Sequence, residues 1–305
     1  MFPGSEKGPV QYLEHITPPM KLESINRRIQ APAKINVMLK IVGRRSDGYH
    51  NLVSVMVPVD LYDYIHLHST QEPGIQLTCR GLSLPSGEGN LVFSAAEAFY
   101  MEAGITPRIR LTLDKVIPVA AGLGGGSSDA AVTLIALNDH HKKLLPQQRL
   151  TAIAAKLGAD VPFFLYRKAC IATGVGDILE PLDLWPRLWY LIVKPACSVS
   201  TEWAYRNFKL ELTSTSTEDI LNYLKKQPFE ISRLLENDLE KVTASYFPVI
   251  LTIKKALLEA GAAGASMSGS GPSVFGVFKD RDRLNDAARV VSSLELGQVF
   301  AVRGL

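Results

Sequence analysis

Between Val116 and Asn138 the chain reads Val-Ile-Pro-Val-Ala-Ala-Gly-Leu-Gly-Gly-Gly-Ser-Ser-Asp-Ala-Ala-Val-Thr-Leu-Ile-Ala-Leu-Asn, and few local structures accommodate it. Ile109, Leu111 and Leu113 alternate upstream as in a strand. Four glycines then fall within the five positions 122 to 126, and Ser127 and Ser128 open an Ala- and Leu-rich stretch with helical composition. The reading is strand, glycine loop, helix N-terminus. The free N–H groups of a first helical turn, the positive end of the helix dipole, and glycines that let the main chain approach a ligand together favour a phosphate. A ligand-free glycine turn would use the same residues. A branched side chain at Gly125 is expected to occupy phosphate space and to exclude positive φ.

Spacing separates this loop from better-known ones. No Gly-Lys-Ser or Gly-Lys-Thr triplet occurs, so it is not a Walker loop. A dinucleotide fingerprint would need a third glycine or alanine where Ser127 or Asp129 stands. His-Arg-Asp and Asp-Phe-Gly, the protein-kinase strings, are absent. Pro-x-x-x-Gly-Leu-Gly-Gly-Gly-Ser-Ser resembles the second motif of the GHMP small-molecule kinases. That resemblance implies that Pro118, Val119, Ala120, Ala121, Gly122, Leu123, Gly124, Gly125, Gly126, Ser127 and Ser128 hold ATP.

Composition narrows the rest. The chain has 305 residues, 47% hydrophobic and 21% charged, enough for one large or two ordinary domains and unlike a disordered chain. A net charge of +3 gives no bulk electrostatic reason to expect nucleic acid or a membrane as partner. Cys79, Cys170 and Cys197 are dispersed, odd in number and without metal-ligand spacing, which suits a reducing cytoplasm. No apolar run approaches a membrane span. Residues 1 to 24 read as a flexible leader, with Met20 an alternative start.

After Pro32, Ile35, Val37, Leu39 and Ile41 alternate with Lys34, Asn36, Met38 and Lys40, a strand with Lys34 and Asn36 on one face. A lysine there can simply be solvated. Gly-Arg-Arg-Ser-Asp-Gly-Tyr-His over 43 to 50 is a turn-rich loop before Val53, Val55 and Val57. His66 and His68 alternate on a strand and read as solvent-facing. His140 and His141 close the glycine-loop helix, where a cation suits the dipole. Asn90 to Ala103 is helical with Asn90 a natural cap. Gln147 to Leu157 is a helix, and Gly-Ala-Asp-Val-Pro puts Asp160 in a loop between that helix and a strand, where turn and cap roles are common. Ala172 to Ile178 reads as a hairpin, and Pro181 to Pro186 as a domain boundary. Beyond it come a strand at Trp189 to Val193, a helix opening at Ser200-Thr201, helices near Glu218 to Lys226 and Val249 to Ala260, and a strand at Val274 to Phe278. Helix Arg281 to Leu294 and strand Gln298 to Val302 follow. Ser268, Gly269, Ser270 and Gly271 form a second glycine-serine loop, which can also be a plain helix-to-strand connector.

Five strings in order extend the resemblance over most of residues 31 to 280. Pro-Ala-Lys-Ile-Asn is similar to the first GHMP motif, implying that Lys34 and Asn36 face the reacting hydroxyl. Gly-Ala-Asp-Val-Pro implies that Asp160 takes its proton. Ser268 to Gly271 resemble the third motif. Asp-Gly-Tyr-His resembles the branch whose alcohol carries a cytidyl diphosphate, implying that Tyr49 and His50 contact cytosine; Thr201 and Tyr205 go with this substrate, Tyr205 on the opposite ring face. Asn90 and Lys115 would line the adenine pocket. The expected fold is α+β in two domains: an N-terminal, ribosomal-protein-S5-like ATP-binding domain over 25–180 and a ferredoxin-like C-terminal domain over 181–305, with the active site between them. The implied cofactors are ATP and Mg²⁺, in isoprenoid-precursor synthesis by the non-mevalonate route, although no acidic residue in these motifs is an obvious metal ligand. A mevalonate, homoserine or galactose kinase is disfavoured by Tyr49-His50 and the triple glycine. A binding-only relative is disfavoured by the intact Lys34 and Asp160.

Overall fold

The computed structural model describes residues 25–82, 84–209, 217–225 and 230–305. The expected leader, residues 1–24, lies outside the described residues. The first half contains β1 (Asn26–Arg44), β2 (His50–Ser69), β3 (Gly74–Arg80), α1 (Leu91–Ala103), β4 (Arg108–Asp114), α2 (Gly125–His140), α3 (Gln147–Leu157), α4 (Val161–Tyr166), β5 (Cys170–Thr173) and β6 (Ile178–Pro181). Its strands make one sheet in the order β3-β4-β2-β5-β6, with β1 also paired antiparallel to β2. The other half contributes β7 (Trp189–Lys194), α5 (Thr201–Asn207), α6 (Thr217–Lys225), a 3₁₀ turn at Ile231–Leu234, α7 (Asp238–Tyr246), α8 (Val249–Glu259), β8 (Ala265–Met267), β9 (Val274–Phe278), α9 (Arg281–Ser292) and β10 (Gln298–Arg303). Its sheet runs β10-β7-β9-β8, all antiparallel.

Three apolar clusters hold these layers. One lies where α1 to α4 cover the first sheet, around Phe99, Leu111, Leu134 and Phe163. Another joins the two sheets, bringing Ile35, Val37 and Val57 against Tyr190, Ile192 and Phe275. The third packs α7, α8 and α9 on the second sheet. A backbone bond from Leu305 to Pro58, 2.9 Å, and a bridge between Val59 and Gly304 fasten the C-terminus to β2. α1 is capped as the sequence indicates: Asn90 accepts from the Val92 N–H at 3.0 Å, and Gly104 at φ 65° returns its N–H to Tyr100 and Met101.

Several expectations are corrected. The β1 alternation is broken by a register shift between Asn36 and Met38, so Val37 and Met38 both enter the inter-sheet core. Lys34 and Asn36 are each 4% exposed, which removes the solvated-lysine reading. Asp160 precedes a short helix, α4, rather than a strand. α2 starts at Gly125, ahead of the serines. His141 is buried and its pKa is pushed down to about 4 by desolvation and by His140, so it is not the expected dipole-pairing cation; His140 stands in the last turn, its pKa lowered by burial and Arg27. β3, α7 and β8 were not foreseen.

Candidate active site

The glycine loop leaves β4 and enters α2 with no side chain capping the helix. The N–H groups of that first turn are therefore free for an external acceptor. Gly122 and Gly124 have φ of 74° and 70°, the left-handed region that only glycine enters cheaply. A Cβ on Gly122 would sit 2.1 Å from the Ser268 carbonyl oxygen, and one on Gly124 2.9 Å from Lys34 Cγ. Gly125 differs from the expectation. It lies inside the helix without positive φ, and its Cβ would press on Ile117 and, at 3.2 Å, on Lys115 Nζ.

Lys34, remote in sequence, is drawn beside this loop by a backbone bond from its N–H to the Leu123 carbonyl, 2.9 Å. Its ammonium donates to Asn36 Oδ1 and lies 3.2 Å from Asp160 Oδ2. Asn36 is fixed in turn, its Nδ2 donating to Ser54 Oγ at 2.8 Å while Ser54 donates to the Met38 carbonyl at 2.6 Å. Asp160 occupies the N-cap position of α4 yet makes no side-chain cap bond, and 39% of its side chain is exposed. Its carboxylate is thus committed to Lys34 and open to the cleft.

The cleft has a volume of about 1450 Å³. It is lined by Lys34, Asn36, Asp160, residues 118 to 127, and Gly269 and Ser270. Asn90 and Lys115 lie on its wall, near Pro85, Leu91 and Leu113, as do Tyr49, His50, Thr201 and Tyr205. Tyr49 is 66% exposed, whereas the His50 ring stacks on Tyr205 with centroids 5.7 Å apart and planes at 29°. Burial and Arg44 lower the His50 pKa. Thr201 Oγ1 and Ser270 Oγ are 3.0 Å apart. Three expected residues do not line the cleft. Ser128 is buried with no hydrogen-bond partner for its hydroxyl, Ser268 is buried with its hydroxyl bonded to the Asn36 N–H and the Gly122 carbonyl, and Gly271 packs so that a Cβ would lie 2.5 Å from Met267 Sδ.

Lys115 brings two residues that sequence reading missed. Its ammonium bonds Asp63 Oδ2 and, at 2.8 Å, Asp129 Oδ2, and all three residues are buried. Asp63 Oδ1 also accepts the N–H groups of Val116 and Ile117 at 2.6 and 2.8 Å, tying β2 to the loop's lead-in. The signal was present. Asp63 falls in phase with Leu61, Ile65 and Leu67, an acid on the apolar face of a strand. The Lys115 pKa is raised because its two carboxylates outweigh the burial that would lower it. Asp129 is pushed up to about 7 by burial and the Asp63 charge, against the pull of Lys115.

A carboxyl whose pKa is higher in the folded state costs stability as pH rises from its unfolded value to its folded one. Asp129→Asn removes that cost while Lys115 keeps Asp63. The variant should therefore gain on wild type by roughly 2 to 3 kcal/mol between pH 5 and pH 8, read from denaturant melts of the ligand-free protein. A stability difference that does not change with pH would overturn the assignment.

The comparisons with known proteins agree with this geometry. The pattern described as "GHMP kinases N terminal domain" matches residues 90–168, and "GHMP kinases C terminal" matches residues 223–294. The chain is 47% identical over 274 residues to the 4-diphosphocytidyl-2-C-methyl-D-erythritol kinase of Syntrophotalea carbinolica, covering 89% of this chain and 96% of the relative. It is 43% identical to the enzyme of that name from Geobacter sp. strain M21, covering 90% and 98%. A crystal structure of a 4-(cytidine 5'-diphospho)-2C-methyl-D-erythritol kinase superposes with a TM-score of 0.77 at 34% identity, covering 91% of this chain and 99% of that one. Homoserine kinase from Cytophaga hutchinsonii shares the fold, with a TM-score of 0.70 at 20% identity over 90% and 94% of the two chains. With relatives this similar along nearly their whole length, the chain belongs to the 4-diphosphocytidyl-2-C-methyl-D-erythritol kinases of the GHMP kinase family.

Proposed function

We propose that this chain transfers the γ-phosphoryl group of ATP to the 2-hydroxyl of 4-diphosphocytidyl-2-C-methyl-D-erythritol, giving the 2-phosphate and ADP, in isoprenoid-precursor synthesis by the non-mevalonate route. The observation that carries the reading is the meeting of Lys34 and Asp160, 3.2 Å apart, beside an uncapped glycine-loop helix in a cleft that also exposes Tyr49. Phosphoryl transfer needs an aligned hydroxyl, a sink for its proton and positive charge near the phosphoryl oxygens. The first turn of α2 receives the phosphates. Lys34 steadies charge on the transferring group, and Asp160, open to the cleft, orients the hydroxyl and accepts its proton.

Asn90, Leu91 and Lys115 border the adenine, with Lys115 held by Asp63 and Asp129 rather than free to reach phosphate. Among the described residues no three His, Cys, Asp or Glu side chains converge. Mg²⁺ takes most of its oxygens from phosphate and water and needs only one or two carboxylates. Asp160 and Asp129, whose Oδ1 has no hydrogen-bond partner, are the carboxylates that would hold it, and the cation would neutralise phosphate charge. The two separate sheets and the two matched family segments support an ATP-binding domain over 25–180 and a C-terminal domain over 181–305. The dispersed free cysteines support a cytoplasmic enzyme.

ATP turnover with the cytidyl diphosphate alcohol, and none with mevalonate, homoserine or galactose, tests the reading. Turnover of any of these alternatives in its place would refute it. Tyr49→Ala should weaken the cytidyl substrate by about 1 to 3 kcal/mol, the range for a base stacked on an aromatic ring, and leave ATP affinity unchanged. Equal affinity in calorimetric titration would remove Tyr49 from the cytosine site.

A further inference from the structure

Helix α7 presents a row of polar side chains at spacings of three residues, and each is bonded to the backbone of the 267–270 loop. Asn237 caps the helix, its Oδ1 accepting from Leu239 N–H at 2.9 Å, and its Nδ2 donates to the carbonyls of Met267 and Gly269, both at 2.7 Å. One turn on, Glu240 Oε2 accepts the Met267 N–H at 3.0 Å while Lys254 holds its other oxygen. One turn further, Thr243 Oγ1 donates to the Ser270 carbonyl at 3.2 Å. Thr243 is fully buried and Asn237 nearly so. Buried donors and acceptors satisfied this completely hold a segment in one conformation.

The opposite side of that loop faces the reacting groups. Ser268 Oγ accepts the Asn36 N–H at 3.1 Å and donates to the Gly122 carbonyl at 2.9 Å, so one hydroxyl ties the strand of Lys34 to the phosphate loop. Gly269 and Ser270 line the cleft. The α7 entry also grips β1 directly, since Leu39 N–H donates to the Glu236 carbonyl at 2.8 Å and Leu39 bridges Asn237. Asn237, Glu240 and Thr243 themselves do not line the cleft.

We propose that Asn237, Glu240 and Thr243 are positioning residues for phosphoryl transfer: the α7 face sets the 267–270 loop, and through Ser268 the loop sets the phosphate loop against Lys34 and Asn36. The proposal rests on the kinase reading above. Misplacement of reacting groups by about an ångström can cost about a hundredfold in rate. Thr243→Val, which removes only one hydroxyl, should lower kcat by about tenfold, and Asn237→Ser by about a hundredfold, with KM for ATP and for the alcohol changed by less than about threefold. Rates are expressed per nucleotide-binding site counted by titration, so loss of folded protein does not enter them. Because both act through one loop, Asn237→Ser combined with Ser268→Ala should be little worse than the more damaging single variant. Normal kcat per site with only a lowered Tm, or fully additive effects, would reduce α7 to a structural support. Should Asn237→Ser not fold, Thr243→Val decides alone. Absence of turnover by the wild-type chain instead overturns the kinase reading, and the proposal with it.

Discussion

Asp160→Asn lowers kcat by about 10² to 10⁴, the usual contribution of a positioned acid-base group, while ATP and the alcohol still bind. The substitution is nearly isosteric and leaves α4 intact, because the Asp160 side chain makes no cap bond there. What it removes is the anion 3.2 Å from Lys34 and the acceptor open to the cleft. Lys34 keeps its bond to Asn36, so its place should hold. Lys34→Ala acts on the same step from the other side, removing the cation that lies 3.2 Å from Asp160 and steadies charge on the transferring group. Single-turnover rates with bound nucleotide measure the chemical step directly. Near-normal turnover in both folded variants would break the mechanism.

Gly122→Ala should destabilise the protein by about 3 to 5 kcal/mol, summing left-handed strain at φ 74° with overpacking against backbone. The added methyl would lie 2.1 Å from the Ser268 carbonyl oxygen, which cannot retreat without breaking the bonds that Ser268 makes to Asn36 and Gly122. Nucleotide affinity should fall with it, since the displaced segment leads into α2. Gly126→Ala is the control: its Cβ would meet only Leu91 Cδ1 at an ordinary 3.5 Å. Chemical denaturation of the two variants compares them, and an equal loss in both would contradict the steric account.

Much of this site was legible because its parts are local. A glycine cluster before an Ala-rich run announces a loop and a helix start, and Asn90 and Ser200 cap the helices where they were expected to. The strings around Lys34, Asp160 and Tyr49 were readable only through resemblance, as nothing in their spacing says that residues 34, 123 and 160 meet. What was missed depends on long-range partners. Asp63 was concealed because its lysine lies 52 positions away. α7 was overlooked because its polar face, Asn237, Glu240 and Thr243, looks solvated until the loop it bonds is in place. The bulge at Val37 leaves the strand pattern of β1 intact to the eye while reversing the faces beyond it.

The bond from Ser268 to the Gly122 carbonyl spans 146 positions of sequence. Together with the Ser273 N–H to Ala121 contact at 3.4 Å, it makes the back wall of the nucleotide loop out of the C-terminal half of the chain. The loop is therefore no portable cassette. A chimera joining the first half of this enzyme to the second half of a distant relative inherits a pocket only if the incoming serine loop brings its hydroxyl and its carbonyl to the same places. The two halves are bound to change together, and the unit on which substitution is tested is the seam between them rather than either half.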